Sequence, residues 1–151
     1  MEKDIGEGGV KPVKQQFRHF PEYGLWGDCH RACIASILEL PLEEVPHFCD
    51  GGQEVGGLDC PVRSWLDERG LFQTNTPYNG NIDLDQLLHD LGIVLPGIYF
   101  ILGGSSRNGV GHSLVAGEGR IVHDPSIDGS GCVGPMEDGL YWVTVIGRKL
   151  L

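Results

Sequence analysis

The character of this 151-residue chain changes past its middle, and that change limits the folds open to it. Up to Gly92 most apolar residues recur at helical spacing. From Gly97 onward, "GIYFIL" (97–102), "HSLVAG" (112–117), "RIVHD" (120–124) and "LYWVTVI" (140–146) are β-rich runs. The turns "GGSSRNG", "GEG" and "DGSGCVGP" separate them. Helices first and antiparallel strands second predict an α+β fold, with a helical layer packed on one sheet.

The first helix is predicted after Asp28, which reads as an N-cap. Cys29, Ala32, Cys33, Ile34, Ile37, Leu38 and Leu40 follow on one face, and Pro41 ends the pattern. "PLEEVPHF" suggests a helical turn closed before Pro46. "CDGGQEVGGLDC" is a loop by composition. A second helix is expected from Pro61, capped by Asp59 and closed at Gly70. "LFQTNTP" is a short strand candidate. "DLDQLLHDLG" is a third helix, capped at Asp83 and stopped at Gly92. "GHSLVAGEGRIVHD" reads as a hairpin turning around Gly117-Glu118-Gly119. Residues 1–14 lack an apolar period and are expected to be a flexible lead-in; residues 15–151 read as a single domain.

Charge narrows the partners. The net charge is −10, from 21 acids against 11 bases, and no basic run occurs. Phosphate backbones need clustered Lys and Arg, so nucleic acid is not the expected partner. No apolar run approaches the roughly 20 residues of a membrane span, and "MEKDIGEGGVKPVKQQ" is too polar for a signal peptide. These features predict a soluble, cytoplasmic protein that does not bind membranes.

The five cysteines, at 29, 33, 49, 60 and 132, are an odd number without an export signal, which argues for free thiols. Cys29 stands where the N-terminal N–H groups of a helix favour a thiolate. Cys33, one turn on, lies in the apolar stripe and reads as core. A nucleophilic thiol needs an imidazole, and the imidazole needs a group to orient it. Of the six histidines, His112 is the best candidate, because it follows a glycine-rich turn and opens a strand at a sheet rim. Asp124 ends the next strand of the hairpin, where it can be a cross-strand neighbour of His112. His123 then has the wrong parity.

"GDCHRACIASILEL", "GHSLV" and "IVHDP" together resemble the Cys–His–Asp order of papain-like cysteine peptidases. They are most similar to the bacteriocin-leader-processing group and to small phage and bacterial proteins of the same layout. The resemblance covers roughly residues 13–146. It implies a nucleophile on a helix packed against an antiparallel sheet that carries the His and the Asp. Cys29 would be the nucleophile, His112 the base and Asp124 the orienting acid of a thiol hydrolase cleaving a peptide or isopeptide amide. No cofactor is implied. In this family a glutamine upstream of the nucleophile helps form the oxyanion hole, in the bacteriocin group about half a dozen residues before it. Here Gln15 and Gln16 are the candidates, 14 and 13 residues before Cys29, reached through a longer loop. The family's glycine after the nucleophile is His30 here.

Other readings compete. The same fold without turnover would serve as a binding module for a small molecule or a protein. Zinc is the weaker alternative, because Cys29, Cys33, Cys49, Cys60 and His47 include only one short pair, and that pair lies on an apolar helix face. No metal site is therefore expected.

Overall fold

The computed structural model describes residues 10–52 and 60–150. Among them, three α-helices and five strands follow in the order α1 (Cys29–Leu38), α2 (Pro61–Asp67), β1 (Leu71–Asn79), α3 (Leu84–Val94), β2 (Phe100–Ser105), β3 (Gly111–Gly117), β4 (Arg120–His123) and β5 (Leu140–Arg148). The strands form one antiparallel sheet in the order β1-β5-β2-β3-β4. The fold is α+β, as the two-part pattern predicts. One strand, β1, comes from the helical half and closes the sheet beside β5, the last strand.

The sheet is covered on both faces. Ile101, Val115 and Ile146 pack with Ile34, Ile37, Val62 and Leu66 of α1 and α2. Their strand neighbours Phe100, Leu102, Ala116 and Val143 pack with Leu87, Leu88 and Leu91 of α3. Period-2 alternation thus feeds two cores rather than one, which is why these strands read as continuous apolar runs. The expected single helical layer is corrected accordingly, with α3 on the opposite face. Ile34 and Leu66 are wholly buried, and each contributes roughly 1.5–3 kcal/mol relative to exposure.

Several local expectations shift. Helix α1 stops at Leu38, before Pro41, with Glu39 in the left-handed region at φ 58°. "LEE" after Pro41 is a single 3-10 turn. Helix α2 starts at Pro61 as expected, but the proposed cap Asp59 lies outside the described residues, and Cys60 occupies the cap position. Asp83 does cap α3, accepting from the Gln86 N–H at 3.2 Å. Helix α3 runs on past Gly92 to Val94. Gly92 lies against the β3–β4 turn, where a Cβ would sit 2.7 Å from the Gly119 nitrogen, so close packing rather than helix termination places the glycine there.

Residues 10–14, expected to belong to a flexible lead-in, are tied to the body. The Lys11 N–H donates to the Ser36 carbonyl at 3.1 Å, and the Val13 N–H to Ser36 Oγ at 3.0 Å. Val10 and Val13 pack on the α1 core. Residues 1–9 lie outside the described residues.

Strand β2 begins at Phe100, later than expected, and incorporates Gly103 and Gly104. Gly104 sits opposite His112 in the ladder. A Cβ there would lie 2.5 Å from Cys132 Sγ and 2.8 Å from the Gly134 carbonyl oxygen. That loop is stitched to β2 by Ser105 N–H to Gly134 O and Val133 N–H to Ser105 O, each 2.8 Å. Gly104→Ala must push the loop away. It is expected to destabilise the protein by about 1–3 kcal/mol, read as a lower urea midpoint.

Candidate active site

Cys29 is the first residue of α1, so its thiol stands at the helix N-terminus. Asp28 precedes it but does not cap the helix; its side chain makes no capping hydrogen bond. The fully buried carboxylate instead accepts from the Gln16 N–H at 2.9 Å, the Phe17 N–H at 2.8 Å and Arg31 Nη1 at 3.3 Å. The cap expected at Asp28 is corrected: the carboxylate faces the preceding loop, whose two N–H groups and the Arg31 cation compensate its burial better than a helix terminus alone.

His112 lies near the start of β3 and is buried. Its Nε2 donates to Asp124 Oδ1 at 2.7 Å. The Cys29 thiol lies near enough to this imidazole to favour its charged form. The Ser113 N–H donates to Cys29 Sγ at 3.4 Å, which fixes the sulfur against the strand that carries the histidine. The structure therefore brings Cys29, His112 and Asp124 together.

A β-bulge makes this possible. From the turn, Gly117 pairs with Arg120 and Ala116 with Ile121, but Val115 pairs with His123, leaving Val122 as the extra residue. Without the bulge, continued pairing would place residue 125 opposite His112, and His123 rather than Asp124 would share the histidine's face. The extra residue flips the parity and delivers Asp124. His123 faces the other way, its Nε2 2.7 Å from the Val13 carbonyl oxygen. The turn itself is two residues, Glu118 (φ 54°) and Gly119 (φ 82°), the positive-φ pair of a type I′ hairpin.

The Asp124 carboxylate is well held. Oδ1 also accepts from the Ser126 N–H and Oδ2 from the Gly131 N–H, both at 2.9 Å. Burial alone would push this carboxyl up. The hydrogen bonds from His112, Ser126 and Gly131 outweigh it and hold the group down at about 2. For His112, burial works against the charged ring, but the thiol of Cys29 and the Asp124 carboxylate outweigh it and raise the imidazole above its ordinary 6.5. Lys14 clamps the same corner, its Nζ donating to the Asp124 and Ser126 carbonyls at 3.0 Å each.

His30 braces the site from inside. Its Nδ1 lies 3.2 Å from Ser113 Oγ, linking α1 to β3 between Cys29 and His112. Burial pushes this imidazole down to about 4, so it is neutral at pH 7.

Gln15 and Gln16, the oxyanion candidates, lie on the loop that Asp28 holds. The Gln15 N–H donates to the Pro125 carbonyl at 2.9 Å, next to Asp124. Its Nε2 donates to the Phe17 carbonyl at 2.6 Å. Its buried Oε1 has no hydrogen-bond partner among the described residues. Gln16 is exposed, with Oε1 3.5 Å from Arg31 Nη1. The loop thus runs between a residue adjoining Cys29 and one adjoining Asp124, despite its distance in sequence.

The cysteines of the zinc alternative are not gathered into one site among the described residues. Cys33 and Cys60 lie in the apolar core, and burial drives the Cys33 thiol well up. Cys49 is pushed up to about 12, by burial first and then by the charges of Cys29 and Asp28. His47 Nε2 lies 2.8 Å from the Trp26 carbonyl oxygen, and its ring stacks on Phe17. Among the described residues no group of three or more His, Cys, Asp or Glu is placed to hold a metal ion.

Sequence reasoning missed Lys14, the bracing role of His30 and the true partner set of Asp28. Only Asp28 left a trace, its i,i+3 spacing to Arg31, which matches the ion pair found. No helix among the described residues is long and apolar enough to cross a membrane. No family model, curated protein or solved structure matches the chain.

Proposed function

We propose that the chain is a papain-like thiol hydrolase that cleaves a peptide or isopeptide amide through Cys29, His112 and Asp124. One observation carries this reading: an imidazole bonded to a carboxylate that three donors hold ionised, on the strand whose Ser113 N–H holds the thiol at a helix N-terminus. With Nε2 given to Asp124, Nδ1 is the nitrogen left for the sulfur, and Asp124 sets that tautomer. Nδ1 takes the thiol proton, and Sγ attacks the carbonyl carbon. The carbonyl π electrons move to oxygen, which the Cys29 backbone N–H and the Gln15 carboxamide would stabilise. The oxyanion collapses, the amine leaves with the proton from Nδ1, and a thioester remains. Water, deprotonated by Nδ1, releases the carboxylic acid and restores the thiol. Gln15 suits the donor role better than Gln16, because it is partly buried and anchored at Pro125.

The partner is then a peptide or protein substrate, with no nucleic acid, membrane or cofactor needed by the chemistry. The layout also fits the bacteriocin-processing group better than a zinc reading, since the three motif residues converge and the cysteine set does not.

A second reading has an observation of its own. Gln15 stands 14 residues before Cys29, and one of its two Nε2 hydrogens is already committed to the Phe17 carbonyl, which leaves a single donor for a ligand oxygen.

Limited iodoacetamide at pH 7 separates the two. The hydrolase reading expects Cys29 to be carboxamidomethylated at least about tenfold faster than Cys132 or Cys49. Equal labelling of Cys29 and Cys132 would leave the binding module as the better account.

A further inference from the structure

Resting on the hydrolase reading, we infer that Asp28 is a positioning residue for the oxyanion site, acting on Gln15 through the backbone of Phe17. The argument starts from burial. Asp28 is 0% exposed and sits directly before the nucleophile. A buried carboxylate persists only where donors surround it, and here two of its donors are consecutive backbone N–H groups from a loop about a dozen residues away. The carboxylate therefore acts on the loop.

The relay is continuous. The Phe17 N–H donates to Asp28 Oδ1 at 2.8 Å, and the Phe17 carbonyl accepts from Gln15 Nε2 at 2.6 Å. Asp28 thus holds Phe17 by its N–H, and the carbonyl of the same residue, in the next peptide unit, orients the carboxamide. In this reading the second hydrogen of Nε2 serves the anionic oxygen. From the other side, the Gln15 N–H is pinned to Pro125. Arg31, one turn into α1, holds the carboxylate against the helix. A loop this long would otherwise leave the donor poorly fixed. The device replaces short sequence separation with a buried ionic anchor.

The test uses two probes on the full chain. Iodoacetamide alkylates the sulfur without forming an oxyanion. Acetyl-Gly-Gly-aldehyde adds the thiol across its C=O: an S–C bond forms, the π electrons go to oxygen, and the proton from sulfur ends on that oxygen or on His112. Its affinity is read as protection of Cys29 against alkylation. Asp28→Asn should weaken aldehyde affinity tenfold or more while changing the alkylation rate threefold or less. Gln15→Ala should do the same, and the double variant should be no weaker than Gln15→Ala within about twofold. Should Asp28→Asn not fold, Arg31→Lys carries the test, with a selective aldehyde loss of threefold or more.

Parallel loss of both probes in the variants, or additive losses in the double variant, would overturn the inference alone. If neither probe engages Cys29 of the unaltered protein, the hydrolase reading fails, and this inference fails with it.

Discussion

Replacing His112 with alanine is expected to slow alkylation of Cys29, and hydrolysis, by roughly 10²–10⁴-fold near neutral pH. In the proposed mechanism the imidazole accepts the thiol proton, and the other two histidines on the elements of the site are committed elsewhere. His30 is buried and bonded to Ser113. His123 is turned to the Val13 carbonyl. Asp124→Asn should also be severe, for a geometric reason. Oδ1 and Oδ2 together accept from His112, Ser126 and Gly131. An amide can satisfy the backbone N–H groups on one oxygen only, so its NH2 must face Gly131 or the ring. Facing the ring, it forces the proton onto Nδ1 and removes the base. The pH profile carries a sign as well. The raised His112 places the alkaline limit of the imidazolium above pH 6.5, and loss of the Asp124 charge should move that limit down. Rates measured between pH 5 and 9 for the three proteins check both effects.

Acid should unfold the protein in two successive windows. Below pH 6.5 an unfolded His30 takes up a proton that the folded chain refuses until about pH 4. The unfolded state binds more protons there, so stability falls with pH by about 3 kcal/mol across that window. Asp124 has the opposite chemistry and the same direction. Its folded value of about 2 lies below the ordinary 3.8, so its contribution is present above pH 3.8 and lost as pH falls through 2, on the order of 2 kcal/mol. His112 acts against this trend: raised in the fold, it adds stability below 6.5 that disappears as pH rises through its folded value. Maximum stability is therefore expected near pH 6.5. Urea midpoints at pH 6.5, 4 and 2 should fall in sequence. His30→Gln, which can still bond Ser113, should flatten the first step and spare the second. An unchanged first step in that variant would contradict the assignment.

The sequence carried local features well. The helix after Asp28 and the hairpin at Gly117-Glu118-Gly119 depend on periodicity and turn residues, both readable within a dozen positions. The bulge was not readable, because nothing in "RIVHD" marks Val122 as the extra residue. The pairing of Asp124 with His112 depends on a parity that the bulge makes true. Asp28 before a helix has an N-cap signature, yet the buried environment found better donors in Gln16 and Phe17. The docking of residues 10–14 and the covering of the second sheet face by α3 depend on pairings far apart in sequence, which composition does not encode. His30 carries no pattern of its own; its role comes from standing opposite Ser113 on β3.

The most direct measurement is the reaction with p-nitrophenyl acetate, an acyl donor that demands no particular peptide sequence. Rapid mixing should release a burst of about one equivalent of p-nitrophenolate per chain, with an acetyl thioester mapped to Cys29 and the burst absent in Cys29→Ala. No burst, or an acetyl group carried equally by Cys132 with Cys29→Ala unchanged, would contradict the account.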